Sequence, residues 1–185
     1  MSTPTLSTET SGSARPESDR HVTAVLRPPR VGDGAHLWRI AKDSQVLDVN
    51  SSYAYLLWCR DFASTSLVAE VDGRVVGFVI GYLRPERPDT VFVWQVAVDR
   101  GQRGRGTGAA LIQRLLDTVA EHGVTALETT VSPDNPASIA MFASVARRRG
   151  AAMTREPLFD TGAFPDRHAA EDLYRIAPKV QEELR

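Results

Sequence analysis

Alternation of apolar and polar positions divides the 185-residue chain into short strands and amphipathic helices. Residues 22–26 read as a strand, closed by Arg27-Pro28-Pro29. A helix is predicted over 33–41, with Leu37, Trp38 and Ile40 on its apolar side. A second is predicted over 53–61, N-capped by Ser51 or Ser52, with Tyr53, Leu56, Leu57 and Arg60 at helical spacing. Apolar runs at 66–71 and 75–83 flank Asp72-Gly73, a hairpin signal, and a turn cluster over 84–89 leads into strand 91–98. There the connection changes. A glycine-rich stretch and an amphipathic helix over 108–122 carry the chain to strand 124–131, expected to run parallel to 91–98. The turn Pro133-Asp134-Asn135-Pro136 precedes a helix over 137–146, which Gly150 ends; 151–155 and 172–177 are closing strands. This order is α+β with one crossover in mid-chain, not a repeated βαβ unit.

Composition narrows the picture. Residues 1–20 are rich in Ser, Thr, Pro and Glu and are expected to be a disordered lead-in; 178–185 reads as a polar tail, leaving one domain over 21–177. A net charge of −1 gives no electrostatic support to a nucleic-acid or membrane-surface partner. Arg147-Arg148-Arg149 is the one basic run and suits the last turn of a helix. No segment approaches the roughly 20 apolar residues of a membrane span, and the N-terminus has no signal-peptide pattern, so a cytoplasmic location is expected. Cys59 is the single cysteine, which excludes a disulfide framework and a cysteine-based zinc site. It reads as a small buried hydrophobe, and no metal is expected.

Candidate chemistry begins at Arg103-Gly104-Arg105-Gly106-Thr107-Gly108. A strand that breaks at glycines and re-enters as a helix aims free backbone N–H groups at one point, at the positive end of the helix dipole. Such a point suits phosphate, and Arg103 and Arg105 add charge. A Walker A loop is excluded, because it ends in Gly-Lys-Ser/Thr and the two lysines, Lys42 and Lys179, are elsewhere. A dinucleotide fingerprint fits poorly: the spacing is G-x-G-x-G, and an antiparallel meander precedes it, although Glu128 lies twenty residues beyond Gly108. A tight turn without a ligand is the remaining alternative.

The same six residues resemble the Q/R-x-x-G-x-G/A motif of the Gcn5-related N-acetyltransferases (GNAT), with Arg103, Gly106 and Gly108 at its fixed positions. That resemblance implies an α+β GNAT fold, a mixed central sheet splayed between strands 91–98 and 124–131, with flanking helices. It also implies acetyl-CoA as cosubstrate, its pyrophosphate on the amides of Arg103, Gly104, Arg105, Gly106, Thr107 and Gly108. The pantetheine arm would lie along Val96, Ala97 and Val98, and strand amides around Val96 would polarise the thioester carbonyl.

Four strings resemble the diaminobutyrate-acetylating branch of that family: 47–59 (LDVNSSYAYLLWC), 93–98 (VWQVAV), 127–138 (LETTVSPDNPAS) and 171–176 (EDLYRI). The resemblance implies transfer of acetyl to the γ-amine of L-2,4-diaminobutyrate by direct amine attack, a step of ectoine synthesis under osmotic stress, in a homodimer. An acetyltransferase for another small amine or a peptide N-terminus is the alternative. Two ammonium groups call for carboxylates in the site, and the attacking amine must first lose a proton. Glu128 is therefore the candidate base, although a sheet-surface Glu would look the same in sequence. Asp48 is otherwise a helix-cap or turn residue; with the resemblance it becomes an ammonium contact. Tyr53 and Trp94, each equally readable as core, become ligand contacts, and the loop residue His168 becomes a substrate ligand or proton carrier. Asn135, Ser138 and Phe142 fall on the family's N-x-x-A/S-x-x-x pattern beside CoA. Many members have a tyrosine where Phe142 stands, to protonate the leaving thiolate. Phe142 has no proton to give, so the thiolate leaves unassisted, or a water or Tyr53 supplies the proton.

Overall fold

The computed structural model describes residues 24–166 and 168–179. The expected lead-in 1–20, and the tail from residue 180 on, lie outside the described residues. In chain order the elements are β1 (Val25–Arg27), α1 (Gly34–Ser44), α2 (Ser52–Asp61), β2 (Leu67–Val71), β3 (Arg74–Arg84) and β4 (Arg87–Val98). They continue with α3 (Thr107–Ala120), β5 (Ala126–Val131), α4 (Pro136–Arg148), β6 (Ala152–Phe159) and β7 (Glu171–Ala177). One seven-stranded sheet runs in the order β1-β2-β3-β4-β5-β7-β6, parallel only where β4 meets β5.

Local chemistry accounts for the ends of these elements. Ser51 caps α2, its side chain accepting from the Ala54 N–H, and Asn135 caps α4 by accepting from Ser138. Asp72 and Gly73 both have positive φ, 48° and 73°, as a tight hairpin turn requires. Helices then close both faces of the sheet. Leu37 and Ile40 of α1 and Tyr55 and Cys59 of α2 pack on Val68, Phe78 and Ile80. On the other face Leu111 and Leu115 of α3 and Val145 of α4 pack on Val79, Val91 and Leu127. Each such fully buried side chain contributes about 1.5–3 kcal/mol.

Three expectations need correction, and one strand takes a place that the sequence had left open. Strand β4 starts at Arg87, so the β3–β4 turn shrinks to Pro85-Glu86 within the expected 84–89 cluster. Strand β6 runs to Phe159, four residues past its expected end. Strand β7 pairs with β5 on one side and β6 on the other, so the last strand inserts between them. Finally, α2 buries Tyr55 and Cys59 and leaves Tyr53, Leu56 and Arg60 outward. This helix is apolar on most of its circumference, and its spacing therefore fits more than one inward face.

Candidate active site

The site is created by a parting of strands. Pairing between β4 and β5 spans only Thr90↔Ala126, Val91↔Leu127 and Phe92↔Glu128. Beyond that the strands diverge, with Thr129 Oγ1 donating to the Val93 carbonyl at 3.0 Å in the fork. A bulge assists: Ile80 pairs with Gln95 and Gly81 with Val93, leaving Trp94 as the extra residue. Gly81 is required there, since a Cβ would lie 2.5 Å from the Phe92 carbonyl oxygen. The bulge puts Trp94 into the cleft, 48% exposed, in a position open to the ligand contact the sequence suggested.

The resulting cleft has a volume of about 680 Å³. Val96, Asn135, Ser138 and Phe142 line one end, and Tyr82, Arg84 and Phe92 the other. The loop carrying Phe159, Phe164 and His168 covers it, and the segment ending α1 adds Leu47, Asp48 and Asn50.

Asp48 and His168, 120 residues apart in sequence, are in contact: Nε2 of His168 lies 2.8 Å from Oδ2 of Asp48. Nδ1 lies 2.6 Å from the Ala169 carbonyl, and Phe164 stacks on the ring at 4.2 Å between centroids. Both ring nitrogens face acceptors, so the doubly protonated imidazolium satisfies both contacts. The Ala169 carbonyl and then Asp48 hold the His168 pKa above its ordinary 6.5. Because the folded pKa is raised, this clasp is complete below pH 6.5 and is lost as pH rises through the folded value. Following the imidazole by NMR should give a midpoint above 6.5 that moves down in Asp48→Asn; an unchanged midpoint in the variant contradicts the pairing.

The backbone of Asp48 is held from below. Gln95 Nε2 donates to the Asp48 carbonyl at 2.8 Å, and the buried Tyr55 hydroxyl donates to Gln95 Oε1 at 3.0 Å. Burial, the largest influence, raises the Tyr55 pKa. Tyr55 thus takes the inward place that the sequence suggested for Tyr53. Tyr53 is 65% exposed and does not line the cleft.

Glu128 is also not where expected. It is fully buried at the foot of the fork, beneath the cleft rather than lining it. Arg84 Nη1 donates to its Oε2 at 2.6 Å, and Nη1 atoms of Arg87 and Arg175 lie 3.1 and 3.6 Å from Oε1. The Glu128 carboxylate is thus already engaged by three guanidinium groups. The second carboxylate that lines the cleft, besides Asp48, is Glu171, at the start of β7, which sequence reasoning missed. Burial pushes its pKa above the ordinary value, against smaller lowering by the Thr130 side chain and by His168. The signal available in sequence was its position three residues after His168.

At the other end, Gly104 and Gly106 have φ of 75° and 78°, and no side chain caps α3, in contrast to α2 and α4. Its first N–H groups are left for a ligand, and the exposed loop 103–106 leaves room for one. Arg103 turns back, its Nε donating to the Val98 carbonyl at 3.0 Å. Gly108 packs against α4, where a Cβ would meet Met141 Sδ at 2.8 Å. Val96 faces the cleft, while Ala97 packs under α1 and α2. Phe142 is buried and lines the cleft, and Cys59 is buried away from it with its thiol pushed up to about 11 by burial. Among the described residues no cluster of three or more His, Cys, Asp or Glu is placed to hold a metal.

Known proteins share this architecture. The model of the Acetyltransferase (GNAT) family matches residues 33–146. L-2,4-diaminobutyric acid acetyltransferase of Nocardia farcinica (strain IFM 10152) is 78% identical over 165 residues, covering 89% of this chain and 86% of the relative. The protein of that name from Streptomyces coelicolor is 63% identical over 153 residues, covering 81% and 90%. A solved structure, diaminobutyrate acetyltransferase EctA from Paenibacillus lautus in complex with L-2,4-diaminobutyric acid and coenzyme A, superposes with a TM-score of 0.81 at 38% identity. That match covers 85% of this chain and 96% of the other.

Proposed function

Since the chain belongs to the L-2,4-diaminobutyric acid acetyltransferases of the GNAT family, we propose the following division of labour within its cleft. The enzyme moves acetyl from acetyl-CoA to the γ-amine of diaminobutyrate, giving Nγ-acetyl-diaminobutyrate and CoA. Uncapped amides at the start of α3 hold the pyrophosphate, with Arg105 beside them. The free edge of β4 around Val96 takes the pantetheine arm, next to Asn135, Ser138 and Phe142.

The observation that carries the amine reading is a pair of carboxylates, Asp48 and Glu171, facing one cleft beside the β4–β5 fork. Diaminobutyrate has two ammonium groups, and each carboxylate matches one. Asp48, clasped to His168, takes the α-ammonium; Glu171, in its less polar setting, takes the γ-ammonium and removes its proton. The neutral amine then forms the N–C bond as the C–S bond breaks. A proton is lost from nitrogen, and CoA leaves as thiolate. Trp94 walls the substrate's methylene chain. Glu128 and Tyr53, the sequence-based candidates for base and proton donor, are not among the residues that line the cleft and take no part in this reading.

Ectoine synthesis under osmotic stress, in the cytoplasm, is the setting this activity fits; no helix among the described residues is long and apolar enough to cross a membrane. A homodimer is part of the same reading, with exposed Val46, Val49, Tyr53 and Leu56 beside the cleft as surface for the second copy. Release of free thiol from acetyl-CoA should be fastest with diaminobutyrate and far slower with ornithine or lysine. Equal turnover of the three amines, or none, refutes the substrate assignment.

A further inference from the structure

Substrate and cleft carry matching charges, with one group still unassigned. Diaminobutyrate has two ammonium groups and one carboxylate. The ionisable groups lining the cleft are the carboxylates of Asp48 and Glu171, the guanidinium of Arg84 and the imidazole of His168. His168 is already committed, both of its ring nitrogens lying against protein oxygens. Arg84 is the remaining cation.

Its geometry suits a carboxylate. One hydrogen bond to a protein acceptor, from Nη1 to Glu128 Oε2 at 2.6 Å, fixes the guanidinium among the described residues and leaves its other N–H groups for a ligand. The side chain is one-third exposed, open to the cleft, whereas its anchor Glu128 is fully buried. Three guanidinium groups converge on that single carboxylate, Arg87 and Arg175 being the others. The cluster therefore carries a local excess of positive charge, and an arriving anion offsets it. Glu128 Oε1 and Arg175 Nη1 are both buried and, although within ion-pair range of each other, make no well-directed hydrogen bond.

Position along β4 completes the argument. Arg84 pairs with Arg87 at the start of β4, and its side chain reaches forward to Glu128, the partner of Phe92; Val96, at the thioester end, is four residues beyond Phe92, or about 13 Å at strand rise. From a guanidinium at the Phe92 level, that span is filled by a carboxylate contact, the short carbon chain and the approach of the γ-amine to the thioester. We propose that Arg84 binds the α-carboxylate of the substrate and sets specificity for an amino acid over a plain diamine. Glu128 is the positioning residue that holds Arg84 in place. The inference rests on diaminobutyrate being the substrate.

Steady-state kinetics on diaminobutyrate and on propane-1,3-diamine, the same chain without its carboxylate, test it. In the wild type, kcat/KM should favour diaminobutyrate by about 10- to 100-fold. Arg84→Ala should abolish that preference through a higher KM for diaminobutyrate, with a much smaller effect on the diamine. Arg84→Lys keeps the charge but loses the planar fork, so it should reduce the preference in part and serves if the alanine variant does not fold. Glu128→Gln should shift the ratio in the same direction, which loss of structure alone would not do, since that lowers both substrates together. A wild type active on diaminobutyrate whose preference over the diamine survives Arg84→Lys and Arg84→Ala overturns this assignment alone. A wild type inactive on diaminobutyrate overturns the substrate reading and this inference with it.

Discussion

Glu171→Gln should lower kcat on diaminobutyrate by about 100-fold or more while leaving CoA affinity within about twofold of wild type. The change keeps size and hydrogen-bonding shape but removes the proton acceptor. Glu171 lies at the start of β7, with the Thr130 side chain and His168 as neighbours that lower its pKa and burial as the larger effect that raises it. A carboxyl whose pKa sits above the ordinary 4.5 is a stronger base once ionised, and it is available only above its folded pKa. The group's contribution to rate should therefore fall as pH drops through a value above 4.5, and that dependence should be missing in the glutamine variant. CoA binding involves other segments, so a tight-binding but slow enzyme is expected. Full turnover by Glu171→Gln, or loss of CoA affinity with kcat intact, contradicts the assignment.

Gly106→Val should raise the KM for acetyl-CoA by about 5- to 100-fold with little change in the KM for diaminobutyrate. At φ 78° a β-branched residue is strained by about 1–3 kcal/mol. Nothing in the protein lies within 4 Å of the added Cβ, so the substitution meets no clash in the folded chain. The cost falls instead on the backbone shape that presents the α3 N–H groups to the pyrophosphate. Thermal unfolding monitors the alternative outcome. A lower melting temperature with an unchanged KM for acetyl-CoA would mean that the loop is only a turn.

How much was legible in sequence follows from how local each feature is. The glycine loop was readable because strand, glycines and helix are contiguous, and the parallel crossover followed from the same stretch; the splay of β4 from β5 came only from the family resemblance. Asp48 and His168 were both singled out, but their contact spans 120 residues and appears only when the loop before β7 folds over the cleft. Glu128 misled because alternation along β5 gives its face of the sheet and nothing about what covers that face. The covering groups, Arg84, Arg87 and Arg175, come from a hairpin tip and from a strand that inserts between β5 and β6. Tyr53 and Tyr55 are two residues apart on a helix, hence on nearly opposite faces. The apolar run around them did not say which face turns inward. Trp94 was singled out as a ligand contact, but the bulge that turns it into the cleft breaks simple alternation and leaves no trace in the pattern. Glu171 was missed because it sits at the boundary between loop and strand, where pattern is weakest.

The central claim is that the cleft fixes the amino-acid end of the substrate so that the γ-amine alone reaches the acetyl donor. NMR on the product formed from acetyl-CoA and diaminobutyrate tests this most directly, since the acetylated nitrogen shifts the protons of its own carbon. All of the acetyl group is expected on the γ-nitrogen. A mixture of α- and γ-acetylated products, or acetylation at the α-nitrogen, would contradict the account.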